Sequence, residues 1–323
     1  MKIRLFFLFI LGAVLFLQGC NTTGSIPVIF DTDANNELDD QHAMAYLLLN
    51  EEAFSTIGIT VNATRNGGEI GEHVKEAQRV LKLCNKDGEI PLYAGANANF
   101  IDISPHVKDA DFDGQEAVDF IIKEAMKKRK EKLVLLPVGK LTNIALALQK
   151  EPAIAERVRV VWLGANYPDP GEYNLDNDIE SMNYVLQTKV PFEMVTVRYG
   201  LPSGTAAVTV TQDEIFKKMP GLGPEAKNAV TGRHGGSFTN FGDYSVDLFS
   251  HTGFYDEQKS RSLFDMAAVA IVKDASWATA TEIPCPLYKG GQWVEQADNP
   301  RKILVWENFN REEIIADFYA TFE

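Results

Sequence analysis

Cysteine is scarce. Three residues in 323, Cys20, Cys84 and Cys285, cannot make the disulfide lattice of a small secreted scaffold. A single bridge between Cys84 and Cys285 and two buried free thiols satisfy the sequence equally, so neither residue is assigned chemistry. Positive charge is also in short supply: 31 Lys and Arg stand against 45 Asp and Glu, a formal net charge of −14. Such a body repels polyanions, which excludes nucleic acid as a natural partner and leaves neutral small molecules and metal cations. Glycine (24) and proline (14) are too few for a collagen-like or linker-rich chain. Hydrophobic residues, at 45%, are too many for a disordered one, and they suffice for one large or two medium domains.

The N-terminus has a pattern of its own. Residues 1–20, MKIRLFFLFILGAVLFLQGC, carry Lys2 and Arg4, then an apolar run from Leu5 to Leu17, then Gly-Cys. That run is shorter than the ~20 residues of a spanning helix and reads as a secretory signal. Its Leu17-Gln18-Gly19-Cys20 ending resembles a bacterial lipoprotein cleavage box, with Gln18 departing from the usual small or aliphatic residue. The resemblance implies a chain exported and lipid-anchored through Cys20 to a bacterial membrane, on its periplasmic or surface side. Asn21 to Ser25 is a short tether.

From residue 26 onward, short apolar runs alternate with helical patterns. IPVIF (26–30), IGITV (57–61), IPLY (90–93), LVLLPV (133–138), VRVVWLG (158–164) and FEMVTV (192–197) are predicted strands. Between them, apolar residues recur at three and four, as in Ile70, Val74, Ala77, Leu81 and in Ala117, Phe120, Ile121. Apolar runs alternating with amphipathic helices predict an α/β fold: one domain over 26–323, a mostly parallel open sheet with helices on both faces. The segment 220–258, rich in Gly, Ser, Thr and Asn, is expected to be a lid loop.

Open parallel sheets bind ligands at the carboxyl ends of their strands, and the polar residues there are distinctive. The first strand runs into DTDANNELDDQHAMAYLLL, with Asp31, Asp33, Glu37, Asp39 and Asp40 within ten residues. Helix capping accounts for one or two of these acids; five together call for a hard divalent cation with oxygen ligands, Ca²⁺ or Mg²⁺. After the fifth strand, ANYPDPGEYNLDND supplies Asn166, Glu172 and Asn174, donors and acceptors suited to the vicinal hydroxyls of a sugar. Other strand ends offer Asn62 and Thr142-Asn143. Near the C-terminus Asp265 opens the apolar helix DMAAVAIV.

The set DTD…DD, LTNIA, N…P…EYN…D and DMAAVAIV, in that order, resembles the inosine-uridine nucleoside hydrolase family, as do IPLYAGA and DGQEAVDFI. The resemblance spans roughly residues 26–275. It implies a Rossmann-type fold and Ca²⁺-dependent hydrolysis of the N-glycosidic bond of a ribonucleoside to free base and ribose. It also implies Ca²⁺ ligation by Asp33, Asp40, the carbonyl of Thr142 and Asp265, with Asp39 as the general base toward the attacking water. Asn166, Glu172 and Asn174 fall at the ribose-binding positions, and Asn62, with Asn66 and Arg65 as alternatives, at the remaining one.

Two departures stand out. The loop between Asp33 and Asp39 is five residues, Ala34 to Leu38, where the family commonly has three, so Asn35, Asn36 or Glu37 is positioned to add or replace a ligand. Phe264 stands where well-known members carry a proton-donating His. These departures motivate an alternative, a nucleoside- or sugar-binding lipoprotein without turnover, against which the retained Asp39 argues. A dehalogenase-like phosphatase fits only the Asp-x-Asp. Charge does not choose between a monomer and a homo-oligomer. The lipid anchor predicts that radiolabelled fatty acid enters the wild-type protein and not Cys20→Ala; equal labelling of the two contradicts it.

Overall fold

In the computed structural model, residues 24–323 are described, so the signal segment and Cys20 lie outside the described residues. The predicted strands form at β1 (Ile26–Thr32), β2 (Phe54–Val61), β3 (Leu92–Ala94), β4 (Leu133–Pro137), β5 (Val158–Ala165) and β6 (Phe192–Thr196). Two further strands, β7 (Thr279–Pro284) and β8 (Lys302–Glu307), complete an eight-stranded sheet in the order β7-β8-β6-β5-β4-β1-β2-β3. Every neighbouring pair is parallel except β7 and β8, so the antiparallel element is confined to one edge.

The apolar runs are continuous because both faces of the sheet are covered. Side chains alternate between faces: Val28, Phe30, Val134, Leu136, Val161 and Leu163 enter one buried cluster. Ile29, Leu133, Leu135, Val160 and Trp162 enter the other. Cys84 and Cys285 are buried free thiols, one in each cluster. Among the described residues, no helix is long and apolar enough to cross a membrane.

The strand order fixes where a ligand site can form. From β1 the chain moves outward through β2 and β3, then returns to β4 and proceeds the other way through β5 and β6. The reversal leaves a crevice beyond the carboxyl ends of β1 and β4. Two core helices, Asp39–Leu49 and Phe264–Lys273, pack against each other and begin at that crevice. Leu38 and Leu263 precede them without side-chain capping, so Asp39, Asp40 and Asp265 occupy first turns rather than N-cap positions. Capping therefore does not explain these acids, although both helix dipoles favour negative charge there.

The segment 220–258 is not a loop throughout. It contains a hairpin, Val230–Gly232 with Gly235–Phe238, and a helix, Phe241–Ser250, whose Phe241, Tyr244, Leu248 and Phe249 are buried. Those four recur at helical spacing, a period that the surrounding Gly, Ser and Asn obscured. Asn240 caps this helix, accepting from the Asp243 N–H at 2.7 Å. His42 ties it to the first helix: Nδ1 lies 2.6 Å from the Leu38 carbonyl and Nε2 2.7 Å from Ser245 Oγ. Burial lowers the His42 pKa to about 4, so the link is made by a neutral imidazole.

Candidate active site

The crevice holds a cavity of about 240 Å³ lined by Asp33, Asp39, Asp40, Glu172, Asn174 and Asp265, together with Asn36, Val138, Tyr173, Tyr199, Tyr255 and Phe264. A larger cavity of about 540 Å³ lies against the helix Ile70–Leu83 and residues 227–231. Its lining, largely Lys, Arg, Asn and Gln, shares no residue with the acid cavity and carries none of this chemistry.

Each acid is held by its own element. Asp31, the first of the DTD triplet, accepts from Thr60 (2.6 Å), Asn62 (2.7 Å) and Asn143 (2.7 Å) and so ties β1 to β2 and to the helix Thr142–Lys150. Asp33, past the end of β1, accepts from Thr64 Oγ1 at 2.5 Å. Asp40 accepts a short hydrogen bond from Thr32. Oxygens of Asp39, Asp40 and Asp265 lie within 4.8 Å of one another, and all three residues are buried. Glu172 caps the helix Tyr173–Asn177 by accepting from the Leu175 N–H at 2.9 Å. Asn174 donates to the carbonyls of Val138 (2.7 Å) and Leu163 (3.2 Å), fastening that helix across the ends of β4 and β5. Gly139 is required by close approach: a Cβ there would lie 2.9 Å from both Asn62 and an Asp33 oxygen.

The electrostatics of this cluster are unfavourable for anions alone. Burial, aided by the charges of Asp33 and Glu172, pushes Asp39 up to about 7. Burial raises Asp33 to about 6 and Glu172 to about 7. Asp40 and Asp265 are raised well above the usual carboxylate range, by burial first and then by repulsion from the neighbouring acids. These shifts favour proton binding by the cluster, and a bound cation would compete with those protons. The donor set is all oxygen, which selects a hard divalent ion over a thiophilic one. Asn36 Oδ1, buried and without a hydrogen-bond partner, adds a further oxygen from the lengthened loop. The residues therefore fit a divalent cation at the cluster of Asp39, Asp40 and Asp265, with Asp33 lining the same cavity.

Of the residues expected from sequence, the cavity gathers Asp33, Asp39, Asp40, Glu172, Asn174 and Asp265. Three do not reach it. Thr142 starts a helix, where its carbonyl is directed into the intrahelical ladder, and its hydroxyl donates to Asp178 at 2.5 Å. The residue at the β4 end is Val138, which lines the cavity, so the carbonyl ligand assigned to Thr142 is corrected to Val138 as the candidate. Asn62 is wholly buried beneath the site, donating to Asp31, and supports it rather than facing it. Asn166 braces two loops, donating to the Pro170 carbonyl (3.2 Å) and accepting from the Tyr199 N–H (2.9 Å). Tyr255 lines the cavity, while Tyr244 is buried and donates to Glu76. Tyr199 was missed, although the rule that ligands meet strand ends applies to β6, which it follows.

The family described as inosine-uridine preferring nucleoside hydrolase matches residues 28–316, and the chain belongs to it. It is a metal-dependent N-glycosyl hydrolase acting on ribonucleosides. The non-specific ribonucleoside hydrolase RihC of Salmonella paratyphi A is 26% identical over 233 residues, covering 64% of this chain and 70% of its own. The pyrimidine-specific RihA of Shewanella woodyi is 27% identical over 52% of this chain, and the match spans 59% of the RihA length. A purine-preferring ribonucleoside hydrolase from Gardnerella vaginalis shares the fold, with a TM-score of 0.71 at 20% identity over 92% of this chain and 98% of that one.

Acids with raised pKa stay protonated in the folded state to a higher pH than in the unfolded chain, where they titrate near pH 4, so the metal-free protein loses stability as pH rises from about 4 through about 7. Asp265→Asn removes one such group. Thermal midpoints of the metal-free proteins near pH 5 and pH 8 should show a shallower fall for the variant, by up to about 1.4 kcal/mol per pH unit for one proton. Equal slopes contradict the buried-acid cluster.

Proposed function

We propose that this hydrolase uses Ca²⁺ held by Asp33, Asp40, Asp265 and the Val138 carbonyl, and that it cleaves a ribonucleoside or related N-ribosyl compound to base and ribose. The reading is carried by one observation: Asp39, Asp40 and Asp265, distant in sequence, converge within 4.8 Å on a cavity that also holds Glu172 and Asn174. When bound, the cation orients a vicinal diol and a water molecule and makes that water more acidic.

Asp39 takes the proton from the attacking water; it is the most exposed of the three clustered aspartates, at 8%. Glu172 and Asn174 bind ribose hydroxyls, and the surrounding carboxylates favour the positive charge that builds on the sugar as the C–N bond breaks. The bonding pair departs with the base. Phe264 has no proton to give, so it and Tyr199, whose rings meet edge to face at 6.1 Å, offer the base an apolar surface. Burial pushes the hydroxyls of Tyr199 and Tyr255 up, leaving each a protonated donor at neutral pH.

The retained acid pair favours hydrolysis over capture without turnover. The N-terminal pattern supports an exported enzyme anchored by a lipid on Cys20, with a five-residue tether before the folded body. Incubation with inosine, uridine or adenosine and assay of reducing sugar tests the chemistry. Asp39→Ala should lower turnover by at least about a hundredfold, the scale of a general base, while keeping its bound ion. Comparable turnover in wild type and variant contradicts the assignment.

A further inference from the structure

Two histidines and an aspartate that the hydrolytic cavity does not use meet beside it. His234 lies in the turn of the hairpin Val230–Gly232 and Gly235–Phe238, while Asp247 and His251 are four residues apart at the end of the helix Phe241–Ser250. That spacing puts both on one helix face. His234 Nδ1 is 3.3 Å from one Asp247 oxygen and His251 Nδ1 is 3.3 Å from the other. One donor atom from each of the three residues lies within 4.8 Å of the others.

The contacts to the Asp247 carboxylate are long. That of His234 is a hydrogen bond at 3.3 Å and that of His251 has the same length, both just beyond the 2.7–3.2 Å of ordinary N–H···O bonds. The imidazoles stack at 4.3 Å between centroids, an association of two basic rings across one carboxylate. His251 Nδ1 also lies 2.8 Å from the Asp247 carbonyl, the contact that fixes the tautomer of many metal-ligating histidines and leaves Nε2 free to bind. Both rings line a second cavity, of about 230 Å³, which shares Asn36 and Glu37 with the active cavity. It leaves room for the remaining ligands of an ion.

We propose that His234, Asp247 and His251 form a second metal site, for Zn²⁺ or a similar imidazole-seeking divalent ion, that clasps the hairpin to the helix next to the active cavity. Its two nitrogens and one oxygen differ in kind from the all-oxygen cluster, so the two sites take different metals. The clasp reaches the active loop through its neighbour. Arg233 donates to the Glu37 carbonyl at 2.9 Å, and the Glu37 carboxylate pairs with Arg261. Fixing His234 therefore steadies the wall between the two cavities.

The test uses untagged protein, depleted of metal, equilibrated with excess CaCl₂ to fill the oxygen site, then dialysed against ZnCl₂ and analysed for both elements. Wild type should retain one zinc per chain. His234→Ala and His251→Ala should each weaken zinc binding by at least about tenfold, no less than the loss of an outer partner costs, with calcium content unchanged. Zinc should also raise the thermal midpoint of wild type and not of the variants. A wild type that retains no zinc, or variants that retain as much as wild type, overturns the proposal.

Discussion

Buried like charges repel, and this chain places Asp33, Asp39, Asp40, Asp265 and Glu172 around one small cavity. That concentration of carboxylate is the constraint to which the rest of the structure answers. Hydrogen bonds from Thr32 and Thr64 and the positive ends of two helices offset part of the cost. They leave the acids raised, as a cluster waiting for a cation would be. An arrangement of this kind costs stability in the empty protein and is sustained by what binds there.

The fold meets the constraint through topology. Strand order reverses at β1, so the end of that strand opens onto a crevice without an adjacent crossover. The two helices that start there are almost wholly buried and pack on each other, which makes their first turns rigid. Beneath them Asp31 accepts from Thr60, Asn62 and Asn143, a buried polar node that ties the sheet ends together and leaves Asn62 Oδ1 without a partner. The carboxylates that face the cavity are thus positioned by a second layer of residues that do not.

That layering explains what the sequence revealed. Strands buried on both faces announce themselves as apolar runs, and six of the eight were legible. β7 was not, because TATEIP is largely exposed at the sheet edge and has no apolar run; β8, though buried in part, lies beyond the repeating pattern. The acids were legible because no other environment explains so many together. Asn62 and Asn166 share residue type and strand-end position with true cavity residues, and only packing shows that their amides brace backbone and side chains instead. Thr142 and Val138 differ by four residues within one turn, a distinction that depends on where β4 stops and the helix begins. Asn36 and Tyr199 needed the path of the lengthened loop and the end of β6.

The account rests on cation binding by the acid cluster, and calorimetric titration of the metal-depleted protein with CaCl₂ addresses it directly. Run near pH 7 in buffers of different ionisation enthalpy, it reports stoichiometry and proton release together. The account predicts one calcium per chain, bound with release of protons from the cluster, and loss of that binding in Asp40→Ala. Wild-type protein that takes up no calcium, or takes it up equally well without Asp40, contradicts it.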